Sequence, residues 1–496
     1  MTLPSFQLDY NTSPKHWRGT ATALANRTAN ITSFGVLGAA IGALIAYFLT
    51  DRLGRLWSYR LAVLAWASGI LLQVFSSGIF GFLLFARIWG GLGAGALTVV
   101  APLFLSEIAP AKSRGMIVST YMVALLSFLS LGFFINYGVA RHMHQSRAQW
   151  QIVQAIPLLP VTFAFAGTFL VPESPRWLAS RGQQNASLAS LARLRNLELN
   201  DPTLVAEHDH VTLEADMAAE LDTKRSSNLL SGARETFTDS TLRSRYLLLV
   251  AMHTIAQWTG GNGITYYISS IFTYAGVTGP STSLITSGAY GLVKLVVTMI
   301  FAWGLIDRLG RRRCFLTGLV LQGASHIYMS CYFGLSATHN HSASSAAIAS
   351  VFVYAVGWSI GLCTIPYIYG TEIFPTKVRS FAYATTMGLH WFWQFAVVRV
   401  TPVMLVSLDK WGAYVFWAVI CAVGIVVLGA WAPETKGVEM ERMGELFARP
   451  WYRCGRARLA AALEGGEDAD ADAESVRSEK RGMALMVERF DTDSAS

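Results

Sequence analysis

Apolar residues along this chain gather into long unbroken runs instead of alternating stripes. The runs fall near 31–50, 61–80, 83–105, 116–137 and 152–171, then 246–274, 283–305, 314–335, 346–369, 381–406 and 412–432. A bilayer core takes about 20 apolar residues of helix to cross. The eleven runs therefore predict eleven transmembrane helices in an all-α polytopic membrane protein. The stretch 172–245 is too charged to span, and the tail beyond 433 holds the acidic run LEGGEDADADAE at 463–474, which reads as solvated chain.

Composition agrees with this pattern. The 496 residues are 53% hydrophobic and 14% charged, against about 25% charged in a typical soluble protein. The net charge of +8 needs no nucleic-acid partner, because the basic residues cluster in short loops. Arg52, Arg55 and Arg60 follow the first run, Lys112 and Arg114 the third, Arg308 and Arg311 to Arg313 the seventh, and Lys377 and Arg379 the ninth. The positive-inside rule puts these loops on the cytoplasmic side and the N-terminus outside. The expected organisation is an extracellular segment 1–30, a helix bundle 31–171, a cytoplasmic linker with short helices 172–245, a second bundle 246–432 and a largely disordered cytoplasmic tail 433–496. The five cysteines show neither a disulfide framework nor zinc spacing, and buried thiols are the plainer reading. With no phosphate loop, metal cluster or nucleophile elbow evident, ATP-driven or hydrolytic chemistry has no support, and no cofactor or metal is expected.

The chain repeats itself. DRLGR stands at 51–55 and 307–311, the spacing of Glu107, Pro110, Lys112 and Arg114 returns in Glu372, Pro375, Lys377 and Arg379, and PESPR at 172–176 is answered by PETKG at 433–437. Three pairs in one order mark two homologous halves. Two runs precede the second DRLGR and one precedes the first, so the symmetry predicts a six-plus-six arrangement whose opening helix this chain lacks. A genuine loss and an incomplete gene model both fit that count.

These motifs, with RIWGGLGAG (87–95) and PESPRWL (172–178), resemble the signatures of the sugar porter family within the major facilitator superfamily, over roughly residues 3–447. The resemblance implies the major facilitator fold: two six-helix halves around a central cavity, here with the first helix missing, working by alternating access. LPSF, at 3–6, matches the stretch after helix 1 in relatives. TANITS (28–33) and VVRVTP (397–402) are similar to the quinate-permease-like and acid-sugar branch.

Residue roles follow from the resemblance. Arg55, Glu107, Arg114, Arg311, Arg312, Glu372 and Arg379 are expected to form charge-assisted bonds that lock the halves on the cytoplasmic side, or else to set topology and anchor helix ends. Glu173, Arg176 and Glu434 match pieces that staple the intracellular helices. AQWTGGNGITYY (256–267) places Gln257, Asn262 and Tyr266 at the substrate, and Trp391 and Gln394 join them. Amides suit hydroxylated ligands because each offers donors and an acceptor; helix packing is the alternative. Met122, Ala256 and Tyr367 depart from the sugar-binding pattern.

Lys294 stands where hexose carriers have asparagine. It lies 13 residues before Asp307, about 20 Å from the helix end at 1.5 Å per residue. A midplane lysine costs at least roughly 2.5–3.5 kcal/mol, and an anionic substrate would neutralise it; a deprotonated or carbonyl-bonded lysine with a neutral sugar is the alternative. Arg87 and His390 are the proton-coupling candidates, Arg87 because its match pairs with a helix 1 aspartate in proton-driven relatives. The sequons at Asn11, Asn26 and Asn30 lie on the expected outside, the last too near the bilayer for glycosylation.

The expected function is transport of a sugar or sugar-like polyhydroxy acid (quinate, uronic acid or hexose class) by a monomeric, multi-pass protein of the plasma membrane, with H+ as the candidate co-substrate. A non-transporting nutrient sensor or inactive truncated paralogue is the alternative.

Overall fold

The computed structural model describes residues 3–14, 16–110, 114–223, 231–335, 340–436 and 446–447. Among them the regular structure is helical throughout. A short α1 (Pro4–Asp9) leads into α2 (Ala21–Leu53), α3 (Arg55–Val74), α4 (Phe80–Ile108), α5 (Arg114–His142), α6 (Arg147–Ala155) and α7 (Leu158–Gly167). Four helices connect the halves: α8 (Pro175–Ser180), α9 (Gln184–Arg195), α10 (Pro202–Thr223) and α11 (Ser231–Thr238). The second half runs through α12 (Ser240–Trp258), α13 (Gly261–Tyr266), α14 (Ile268–Tyr274) and α15 (Pro280–Ile300), then a π turn at Phe301–Leu305 and α16 (Ile306–Leu309). It closes with α17 (Arg311–Gly334), α18 (His341–Ile360), α19 (Ile365–Glu372), α20 (Thr376–Ser407) and α21 (Trp411–Trp431).

Each of the eleven apolar runs lies in a helix or a broken run of helices. Among the described residues, eight helices are long and apolar enough to cross a membrane. The three that fall short, α3, α17 and the α12–α14 run, carry the arginines of the motif loops or the amides and histidine of the centre. The first helix also starts earlier than its apolar run: Thr20 accepts a hydrogen bond from the Ala23 amide at 3.2 Å and caps α2 ten residues ahead of it.

Within the first half, α2 and α4 touch backbone to backbone. A Cβ on Gly42 would fall 2.0 Å from the Leu92 carbonyl oxygen, and one on Gly95 1.9 Å from that of Ala39. Small residues spaced by four permit this approach where no water-driven collapse operates. The halves meet along α2 with α20 and along α5 with α15. α1 is built into the first half: Leu3, Phe6 and Tyr10 pack with Leu83 and Trp150, and Asp9 accepts from the Trp150 indole at 2.7 Å and pairs with Arg147 at 3.0 Å.

Two helices break inside the bundle. After Trp258 the chain turns through Gly260, whose φ is +90°, and the freed Thr259 carbonyl accepts from His326 Nε2 at 3.0 Å. That bond gives His326 a structural task, since a carbonyl released at membrane depth must find a donor in the protein. The second break, at 361–364, separates α18 from α19.

Candidate functional site

A cavity of about 510 Å³ lies between the halves, lined by Arg87, Gln73, Asn136, Tyr266, Tyr267 and Trp391 among others. Arg87 is the one charged side chain on its wall among the described residues. On α2 the lining runs from Thr28 to Ala39, and on α4 from Arg87 to Ala94, so the cavity occupies the part of the bundle away from the DRLGR loops. A neighbouring space of about 320 Å³ shares Gln7, Ser269, Ser270 and Leu284 with it and continues toward Gly279. Toward the other end the halves touch. The Trp391 indole donates to Thr98 Oγ1 of α4 at 2.9 Å, the Tyr47 and Phe381 rings lie 5.9 Å apart, and a Cβ on Gly388 would meet Leu44 at 2.6 Å.

The break in the second half puts the amides beside this cavity. Asn262 Nδ2 donates to Gln394 Oε1 at 2.8 Å and to Gln257 Oε1 at 3.3 Å, and Gln394 is hydrogen-bonded to the Tyr266 hydroxyl. Gln257 Nε2 lies 3.0 Å from His390 Nε2, and the Tyr367 hydroxyl 3.3 Å from the same atom. Of the residues expected at the substrate, Tyr266 and Trp391 line the cavity wall, with Gln257, Asn262 and Gln394 linked behind Tyr266. Lys294 stands apart. It is 2% exposed, donates to Thr265 Oγ1 at 3.2 Å and lies 5.6 Å from the ring centroids of both Tyr290 and Trp358. Its ammonium is thus held inside the second half by a hydroxyl and two aromatic faces.

The repeated motifs build two matching clusters at the other end. In the first half Arg55 forks onto Glu107, with contacts of 2.9 and 2.7 Å, while Glu173 accepts from the backbone amides of Arg55 at 3.1 Å, Leu56 at 3.0 Å and Ser174 at 2.9 Å. In the second, Arg311 pairs with Glu372 at 3.2 Å, and Glu434 accepts from the amides of Arg311 at 2.9 Å and Arg312 at 3.2 Å. Each PES or PET glutamate therefore sits at the N-terminus of the helix after DRLG, where free amides and the helix dipole favour an anion. Gly54 and Gly310, with φ of +89° and +88°, make the turn, and a Cβ on Gly310 would fall 2.3 Å from Glu434 Oε2. Only glycine fits there.

The ion pairs Arg55–Glu107 and Arg311–Glu372 each lie inside one half. The glutamate near the end of α4 or α19 lies beside the first residue of α3 or α17 because α3 packs on α4 and α17 on α18, which leads into α19. Arg379 donates to the Phe374 carbonyl at 3.1 and 3.2 Å, Arg312 donates to the Gly429 carbonyl, and Arg176 lies in the first turn of α8. The side chain of Arg114 falls outside the described residues, as does most of the acidic tail. Thr98 is the site residue that sequence reasoning passed over; a lone hydroxyl in an apolar run gives no signal until a partner from another helix is placed beside it.

Two helical halves related by an internal repeat, meeting around a polar cavity, define a membrane carrier. The chain belongs to the family described as sugar (and other) transporter, which matches residues 1–447. It is 32% identical over 487 residues to a probable quinate permease of Aspergillus niger, covering 94% of this chain and 87% of that one. It is 31% identical over 486 residues to the quinate permease of Emericella nidulans, covering 95% and 88%. In fold it is similar to the proton:xylose symporter XylE bound to 6-bromo-6-deoxy-D-glucose, with a TM-score of 0.76 at 21% identity over 90% of this chain and 94% of that one. It also resembles the inward open xylose transporter XylE of E. coli, with a TM-score of 0.67 at 18% identity over 90% and 98%. The fold is that of the major facilitator superfamily.

Proposed function

We propose that this protein carries a sugar-like polyhydroxy acid of the quinate class across the plasma membrane, as a monomer, by alternating access coupled to H+. The observation that carries this reading is the placement of Arg87 as the charged group on a cavity whose other polar groups are amides and hydroxyls, set among aromatic and small or aliphatic residues. A guanidinium meets a carboxylate through two parallel bonds, and the amides and the Trp391 indole suit ring hydroxyls. The quinate permeases among its relatives support the acid over the neutral sugar. Lys294, enclosed by Thr265, Tyr290 and Trp358, is given a supporting place behind the wall.

In this reading the DRLGR loops, α8–α11 and the tail are cytoplasmic, and the described conformation faces outward, closed beneath Trp391. The two motif clusters keep each half rigid while the halves rock against each other. The protein breaks no covalent bond of its substrate; its work is differential binding in the two states. Uptake of radiolabelled quinate, galacturonate and glucose into transporter-deficient cells tests it. Saturable quinate uptake, outcompeted by quinate and weakly by glucose, is expected. Expression at the membrane with no uptake of any of the three overturns the carrier reading in favour of a sensor.

A further inference from the structure

His253 and His390 form a buried pair that the transport pathway just described leaves unused. They come from different helices, α12 and α20, and are 0% and 5% exposed. Their Nδ1 atoms lie 3.0 Å apart, with ring planes near perpendicular at 81°. Two imidazole nitrogens at that distance must hold one proton between them.

The partners fix where that proton sits. The Gln257 amide nitrogen lies 3.0 Å from His390 Nε2 and 3.3 Å from its Nδ1, and the Tyr367 hydroxyl 3.3 Å from Nε2; the shorter contact and the hydroxyl assign Nε2 as the acceptor, with the His390 proton on Nδ1, donated to His253 Nδ1. His253 then carries its hydrogen on Nε2, an atom with no hydrogen-bond partner in the structure. Such an orphan donor is costly in a buried site. The groups that face the rings are Tyr367 from α19, with Tyr121 of α5 and Tyr383 of α20 next to it, and Gln257 from α12. Among the described residues no carboxylate, lysine or arginine from the packed helices acts on either imidazole.

The geometry points to the His253–His390 pair as the binding site of the co-transported proton, linked to the substrate cavity through Gln257, Asn262, Gln394 and Tyr266. This rests on the carrier reading above. A proton taken from water on the outer side adds to the lone pair of His390 Nε2 and is returned to water on the inner side, with no other bond made or broken. Its arrival turns an acceptor into a donor. The Gln257 amide must then rotate to present Oε1, which withdraws that oxygen from Asn262 Nδ2. Asn262 holds Gln394, and Gln394 holds the cavity-lining Tyr266, so proton state and substrate contacts change together. An uncompensated imidazolium at this depth is strongly disfavoured. A substrate that binds the rearranged amides and Tyr266 favours it, and by linkage the proton favours that substrate to the same extent. The cycle is electroneutral for a monoanion.

The test uses the purified full chain in proteoliposomes with an internal pH dye. Wild type is expected to bring in one proton per quinate, at a rate that does not respond to an imposed membrane potential, and to accumulate quinate under an inward proton gradient. His253→Asn keeps an acceptor, its Oδ1, toward His390 Nδ1 but cannot titrate, and His390→Gln is the second variant. Both are expected to exchange quinate at a reduced rate, with proton entry and uphill accumulation lost. Proton entry persisting in either folded variant overturns the inference and leaves the carrier reading standing, whereas quinate entry without protons in wild type overturns the inference together with the proton coupling of that reading. Wild type that moves no substrate overturns both.

Discussion

Trp391 of the second half donates its indole hydrogen to Thr98 of the first, at 2.9 Å, where the cavity ends. The bond is present in the state closed toward the DRLGR loops and joins surfaces that must part when that end opens. A neutral hydrogen bond contributes about 0.5–1.5 kcal/mol net. Thr98→Val is therefore expected to shift the population toward the opened state by roughly 2- to 10-fold. Labelling of a single reporter cysteine below Trp391 by a membrane-impermeant maleimide, added from the loop side, reads this. Unchanged labelling in Thr98→Val would remove the bond from the closing contacts.

Arg87 and Lys294 make opposite predictions for charge selectivity. Arg87 faces the cavity and Lys294 does not. Arg87→Gln is expected to raise the KM for quinate about 10-fold or more, the equivalent of one charge-assisted bond, with a much smaller effect on any neutral sugar that competes. Lys294→Met is expected to alter both substrates alike. A selective loss of acid uptake in Lys294→Met would return the carboxylate to Lys294.

The Glu434 carboxylate, 6% exposed, holds the first amides of α17. Glu434→Ala leaves these donors unsatisfied and is expected to cost about 2–3 kcal/mol, seen as a lower melting temperature of the detergent-solubilised protein. Gly310→Ala should be at least as damaging, because both its φ and the nearby carboxylate forbid a side chain. Melting temperatures equal to wild type would show that the cluster does not hold this end of the half together.

Asn26 lies within α2, and its Oδ1 accepts from Arg399 Nη1 at 2.8 Å, whereas Asn11 is exposed in the turn after α1. Of the two sequons, Asn11 is the one expected to carry a glycan. Endoglycosidase treatment should shift the wild-type band and leave Asn11→Gln unmoved. A shift that survives Asn11→Gln and disappears in Asn26→Gln would contradict the described packing of α2 on α20.

Much of the carrier was legible from the chain. The apolar runs located the helices, because membrane spans must satisfy their backbone within themselves and announce it in length and composition. The repeat identified the two halves, and the paired glutamates and arginines were found because identical spacing places them at equivalent helix ends. The resemblance of 256–267 to a family motif pointed to Gln257, Asn262 and Tyr266, which the break at Gly260 does bring together with Gln394.

The tertiary structure decided what spacing cannot encode. Arg55 meets Glu107 and Arg311 meets Glu372 because α3 packs on α4 and α17 on α18, which leads into α19. Lys294 lies against Tyr290 one turn earlier on its own helix, but its hydroxyl and second ring, Thr265 and Trp358, come from α13 and α18. His253 and His390, 137 residues apart, become one site only when α12 packs on α20. Periodicity and motif fix where a helix begins and which residues it carries. Which side chain meets which depends on the rotation and approach of helices set by every contact along them, and no local stretch of sequence contains that.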